Sequence, residues 1–132
     1  MQGLHLLADL HACACPPAFL LDAAALEAFA VGACRRHGLT VVGCLFHQFR
    51  DAAGRAAGVT GTVVLAESHF ALHTWPEIRG VTLDVYVCNF SADNSALAHG
   101  LFAETIAAFT PGRVDRQAVK RGELAGPAAA PA

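Results

Sequence analysis

The sequence predicts an α+β fold, a two-layer sandwich in which helices cover one face of an antiparallel β-sheet. Apolar and polar residues alternate along several short segments, two longer segments have helical spacing, and the elements follow the order β-α-β-β-β-β-α-β. With 132 residues, 55% of them hydrophobic, the chain has enough apolar content for one core. We expect a single domain over residues 1–121 and a disordered tail over residues 122–132, where glycine, proline and alanine offer little to pack.

The first three elements are a strand, a helix and a strand. Residues 4–10 alternate between apolar and polar types, which is typical of a half-buried strand. Asp22 is placed to cap a helix that ends near Gly38, because aspartate accepts from free amides and glycine adopts the left-handed conformation of helix ends. The β-branched and aromatic residues of 40–49 predict the second strand, followed by a turn over residues 51–58.

The second half of the chain contains the remaining strands and a second helix. Segments with strand-like composition or alternation are residues 60–66, 69–75, 81–88 and 113–121. A helix lies between the last two of these segments, and we expect Asp93 or Ser95 to cap it.

Charge and cysteine content exclude several classes of protein. The formal net charge is −2 and charged residues make up 15%, so no basic patch for nucleic acid is expected. We expect no membrane span and no signal peptide, and hence a cytoplasmic protein, because no apolar run approaches about 20 residues. Five cysteines form no paired framework, which predicts free thiols.

The chemistry of the chain is concentrated in residues 67–77, which read ESHFALHTWPE. This segment resembles the self-cleavage segment of the bacterial S-adenosylmethionine decarboxylase proenzymes. The resemblance implies that the chain cuts itself between Glu67 and Ser68 into residues 1–67 and 68–132. It also implies that Ser68 becomes a covalently bound pyruvoyl group, the only cofactor expected.

The same resemblance gives roles to three more residues in processing and catalysis. His73 corresponds to the proton acceptor in processing, Cys88 to the proton donor in decarboxylation, and Thr60 to a processing serine. Ser68 and His73 are an odd number of residues apart, so they would face opposite sides of one straight strand. We therefore expect a turn or a bulge between them.

Substrate contacts are also implied by the resemblance. Glu77 corresponds to the carboxylate that binds the ribose hydroxyls, Phe49 corresponds to the ring that stacks on adenine, and Trp75 or Phe49 could face the sulfonium cation. The family's product donates aminopropyl groups for spermidine synthesis, and the resemblance implies a homodimer with active sites near the interface.

Three other functions remain open at this point. A pyruvoyl-dependent decarboxylase of arginine or ornithine would not need the ribose contact, and a non-catalytic binding subunit would stay uncleaved. A zinc-binding module would use His69, His73 and Cys88, although no metal is expected under the main hypothesis. Taken singly, His69 is interpreted as a structural hydrogen-bonding histidine, and Cys13 and Cys15 as part of a structural loop.

Overall fold

The computed structural model describes residues 2–124, which form one antiparallel sheet with helices on one face. The predicted α+β class and element order are confirmed, with two short additions, helix α1 and a 3-10 helix at Pro76–Ile78. The elements are β1 (Gly3–His11), α1 (Ala18–Leu21), α2 (Ala23–Arg36), β2 (Val41–Arg50), β3 (Ala56–Leu65), β4 (Ser68–Trp75), β5 (Gly80–Cys88), α3 (Ser95–Phe109) and β6 (Arg113–Arg121).

The strands lie in the order β2-β3-β4-β5-β1-β6, and each neighbouring pair is antiparallel. Strand β3 begins earlier than predicted, at Ala56, because Ala56 and Gly58 pair with Arg50 and Phe49 instead of forming a turn. The turn itself is short, and the carboxylate of Asp51 closes it by accepting from two backbone amides.

Alternation along the strands divides the sheet into two faces. One face carries the core, in which Phe70, Leu72 and Val85 are fully buried against helix residues such as Leu26 and Phe109. All three helices contribute to this core. We call the opposite side the open face, because it holds large apolar side chains that remain exposed within residues 2–124. These include Leu45, Phe49, Val64, Trp75 and Val119.

The two longer helices begin differently. Asp22 caps α2 as predicted, since its carboxylate accepts from the backbone amides of Ala24 and Ala25. The N-cap position of α3 is occupied by Asn94, and not by Asp93 or Ser95 as predicted. The side chain of Asn94 makes no capping hydrogen bond. Asp93 lies one residue before the N-cap position, and its side chain accepts from the amide of Ser95.

The five cysteines are free thiols, as predicted, and all except Cys44 are buried. Burial raises the pKa of Cys13 to about 11 and that of Cys34 to about 12. Cys13 and Cys15 lie in a loop whose carbonyls accept from the guanidinium of Arg79. These contacts support the structural interpretation of that loop.

Residues 2–124 contain no helix long and apolar enough to cross a bilayer. Residues 122–124 follow β6 without helix or strand, and the rest of the predicted tail, residues 125–132, lies outside the described part of the chain.

Candidate active site

The peptide bond before Ser68 lies in a tight turn between β3 and β4. Leu65 pairs with Ser68 across the hairpin, so Ala66 and Glu67 form the turn, and the amide of Ala66 donates to the carbonyl of Thr40 at 3.0 Å. Glu67 has φ of 61°, in the left-handed region that costs a residue with a side chain about 1–2 kcal/mol. The bond that the sequence predicts to be cut therefore follows directly on a strained residue.

The hydroxyl of Ser68 is held by the strand beside it. Its Oγ accepts a hydrogen bond from the backbone N–H of Cys88 at 3.1 Å. Ser68 begins β4 and Cys88 ends the adjacent antiparallel strand β5, so the two residues are neighbours. Glu67, Ser68 and Cys88 define what we call the cut-site end of the sheet. Cys88 is only 5% exposed there.

A cleft of about 210 Å³ opens beside the cut-site end. Its walls come from the hairpin turn, from the segment between α2 and β2 and from the loop before α3. Glu67 and Ser68 form one side, and Thr40, Ser91 and Asn94 belong to the others.

A second group of predicted residues lies at the opposite end of β4. Thr60 and His73 are direct cross-strand partners, and Thr60 Oγ1 lies 3.2 Å from His73 Nδ1. The rings of His73 and Trp75 are 6.3 Å apart. Phe49 lies on β2 and pairs with Gly58, two residues before Thr60 on β3. Glu77 follows β4 in the 3-10 helix. We call these five residues the histidine end.

The structure does not bring the two groups together within one chain. Ser68 and His73 are separated by five residues of strand, roughly 16 Å at the usual rise per residue. The predicted bulge between them is wrong, because β4 pairs with both neighbours without a register break. The two side chains consequently face opposite sides of the sheet, with His73 on the open face.

His69 takes part in a separate polar cluster on the open face. Its Nε2 donates to Asp84 Oδ2 at 2.9 Å, and His5 Nε2 donates to the same oxygen at 2.8 Å. The ring of Tyr86 packs against both imidazoles. The interpretation of His69 as a hydrogen-bonding histidine is confirmed.

The geometry argues against a zinc site at the predicted ligands His69, His73 and Cys88, and also at the cluster around Asp84. His69 and His73 are four residues apart on one strand, about 13 Å, which is too far to share an ion with Cys88. The ligand atoms of His5, His69 and Asp84 do lie within 4.8 Å of one another. However, Arg121 donates to His5 Nδ1 at 3.1 Å, so the ring proton is on Nε2, the nitrogen that would have to bind the metal.

Sequence reasoning missed the partners of His69. Alternation did place Asp84 and Tyr86 on one side of β5 and His5 on one side of β1. The pairing of β1 with β5, which sets Tyr86 opposite His5, has no local signal in the sequence. Asn94 was also missed, because it was not distinguished from the neighbouring capping residues.

Comparisons with known proteins agree with this fold. A family model described as S-adenosylmethionine decarboxylase matches residues 4–122. A proenzyme of that name from Pelotomaculum thermopropionicum is 40% identical over 65% of this chain and 63% of its own length. Another, from Aquifex aeolicus, is 33% identical over 91% of this chain and 81% of its own length.

A solved structure extends the match to three dimensions. The crystal structure of the adenosylmethionine decarboxylase from Aquifex aeolicus superimposes with a TM-score of 0.79 and 31% identity, covering 93% of this chain and 92% of that one. The shared class is therefore an α+β sandwich of the adenosylmethionine decarboxylase type. The chain belongs to the S-adenosylmethionine decarboxylase family.

Proposed function

We propose that this chain is a proenzyme that cuts itself between Glu67 and Ser68 and then decarboxylates S-adenosylmethionine through a pyruvoyl group formed from Ser68. The observation that carries the proposal is the hydrogen bond from Cys88 N–H to Ser68 Oγ beside the left-handed Glu67. The proposed nucleophile, the bond that follows the strained Glu67 and the predicted proton donor thus lie close together.

Processing uses side chains of this sequence and one molecule of water. The Ser68 hydroxyl attacks the carbonyl carbon of Glu67, forming a C–O bond as the C–N bond breaks, and the result is an ester with a free amine. A base then takes the α-proton of Ser68, and the ester oxygen leaves with the new carboxylate of Glu67. Addition of water and loss of ammonia convert the remaining dehydroalanine into the pyruvoyl group.

The cut-site end fits such a group. Ser68 begins β4, and the next residue, His69, pairs with Val64 of β3 and with Tyr86 of β5, so the start of β4 stays held by both neighbouring strands when the turn before it is released. The pyruvoyl group supplies a carbonyl that takes up the substrate amine and accepts the electrons left when carbon dioxide departs. Cys88 holds a proton next to this position, and its burial keeps water away from the thiol.

The base for processing has to come from elsewhere, because His73 of the same chain is roughly 16 Å from Ser68. A second copy is the natural source. In a two-fold dimer whose open faces meet, the histidine end of one copy can lie against the cut-site end of the other. The open face suits such contact, since Leu45 is 74% exposed and Val64 47%. The homodimer expected from the sequence thus completes the site.

Substrate binding is assigned to the exposed aromatic and acidic residues of the histidine end. Phe49 and Trp75 are 47% and 41% exposed and offer ring faces to adenine or to the sulfonium group. Glu77 can accept from the two ribose hydroxyls. A decarboxylase of arginine or ornithine would not need the ribose contact of Glu77. The product would be the aminopropyl donor for spermidine synthesis. We expect the protein to be cytoplasmic.

The test is carbon dioxide release from S-adenosylmethionine, arginine and ornithine by the purified, processed protein. We expect release from S-adenosylmethionine alone. The variant Glu77→Gln should raise KM for it with little change in kcat, whereas Glu27→Gln, on α2 at the helix-covered face of the sheet, should behave as wild type. Release from arginine or ornithine that Glu77→Gln leaves unchanged would favour an amino acid decarboxylase. An uncleaved, inactive wild type would favour a binding subunit.

A further inference from the structure

The side chain of Asn94, at the start of α3, forms a hydrogen bond outside its own helix. Asparagine is among the residues that best cap a helix, because its side-chain oxygen accepts from the amides of the first turn. Here the side chain makes no capping bond. Its Nδ2 instead donates to the backbone carbonyl of Cys88 at 3.1 Å.

A network of hydrogen bonds fixes Asn94 in this position. The amide of Asn94 donates to Asn89 Oδ1 at 2.8 Å, and Asn89 Nδ2 contacts Ser95 Oγ at 3.2 Å. The amide of Asn89 donates to the carbonyl of Gln2 at 2.8 Å, which ties the loop to the start of β1. The end of β5 is thereby held from the side opposite Ser68.

From this geometry we infer that Asn94 is a positioning residue for Cys88, an inference that rests on the proposed function. Both backbone polar groups of Cys88 are hydrogen-bonded. Its N–H donates to Ser68 Oγ and its carbonyl accepts from Asn94. Fixing this backbone sets both the attacking hydroxyl in processing and the thiol that delivers the proton in decarboxylation.

Three variants separate this role from helix capping. Asn94→Asp removes the donor to Cys88 but introduces a side chain that caps helices equally well. Asn94→Ala removes both possibilities. Asp93→Ala is the matched control, because Asp93 supports the same helix end through Ser95 without touching Cys88.

The first readout is the rate of cleavage at Glu67–Ser68, followed by intact mass. We expect Asn94→Asp and Asn94→Ala to slow cleavage of the order of tenfold, the effect of losing one hydrogen bond of ordinary strength. Asp93→Ala should cleave at the wild-type rate. The melting temperature of Asn94→Asp should not fall, although its cleavage rate does.

The second readout is the fate of the cofactor during turnover. A misplaced thiol lets the proton reach the cofactor carbon instead of the substrate carbon. Hydrolysis of the C=N bond by one water then leaves the substrate nitrogen on residue 68 as an alanyl group and releases the decarboxylated substrate as an aldehyde. We expect Asn94→Asp to accumulate the alanyl mass on the C-terminal fragment faster per turnover than Asp93→Ala.

The outcomes distinguish this inference from the proposed function. If wild type cleaves and turns over while Asn94→Asp matches it in both readouts, the positioning role is overturned and the proposed function stands. If the Asn94 and Asp93 variants are impaired equally, the effect is that of the helix end and the inference is wrong. A wild type that never cleaves overturns the proposed function and this inference with it.

Discussion

Thr60 Oγ1 lies 3.2 Å from His73 Nδ1, and the two residues are direct partners across β3 and β4. When Nδ1 carries the ring proton and donates it to Thr60, the lone pair of Nε2 is free to accept a proton. Thr60 thus provides a hydroxyl that would orient the proposed base.

Removing the hydroxyl of Thr60 should slow self-cleavage without unfolding the protein. Thr60→Val preserves the shape but leaves His73 Nδ1 without this contact, and we expect cleavage at least tenfold slower. Thr60→Ser keeps the hydroxyl and should cleave at about the wild-type rate. Gel analysis of freshly synthesised protein over time measures both rates. Equal rates for the valine and serine variants would show that the hydroxyl has no role.

Producing two inactive variants together should restore self-cleavage of one of them if each active site combines residues from two copies of the chain. Ser68→Ala keeps His73 but has no nucleophile, and His73→Ala keeps Ser68 but has no base. Neither variant should cleave alone. When the two are produced together with different tags, we expect only the His73→Ala chain to be cut, as judged by its fragments on a gel. If the mixture stays uncut, His73 acts within its own chain or not at all.

Thr74 should be important for folding and not for chemistry. It is 6% exposed, its Oγ1 donates to the carbonyl of Leu20 at 2.7 Å, and it accepts from the amide of Val59 at 2.9 Å. Thr74→Val leaves both backbone groups buried without a partner and should lower the free energy of unfolding by about 1–3 kcal/mol. Urea unfolding measures the change, with Thr62→Val on the open face as the control. A loss no larger than that of the control would contradict the assignment.

Glu104 should make stability depend on pH in the acid range. The hydrogen bond from Arg36 and the contact with His37 lower the pKa of Glu104 below its usual value. A carboxyl with a lowered folded pKa contributes stability above its unfolded pKa, about 4.3, and that contribution is lost as pH falls through the folded pKa.

The corresponding variant is Glu104→Gln. It should be less stable than wild type at neutral pH, and the gap should close as the solution is acidified below the folded pKa of Glu104. Chemical unfolding midpoints across this range provide the comparison. A gap that persists unchanged in acid would mean that the carboxylate charge is not the source of the stability.

Local patterns predicted most of the fold, because the strands and the two longer helices are marked by their own composition or periodicity. The cap of α2 is an example, since Asp22 and the helix it begins are adjacent in sequence. The division of the site into two ends was not predicted. Ser68 and His73 are close in sequence, and only the unbroken pairing of β4 with both neighbours reveals that they lie far apart on opposite faces. The cluster around Asp84 was missed for the same reason, since it depends on strands that meet only in the folded sheet.

The most direct test is the intact mass of the purified protein under denaturing conditions, for wild type and for Ser68→Ala. The account predicts that wild type separates into residues 1–67 and 68–132, with the second fragment carrying a pyruvoyl group, and that the variant remains a single chain of 13.7 kDa. A wild type that also remains a single unmodified chain would contradict self-processing at Ser68.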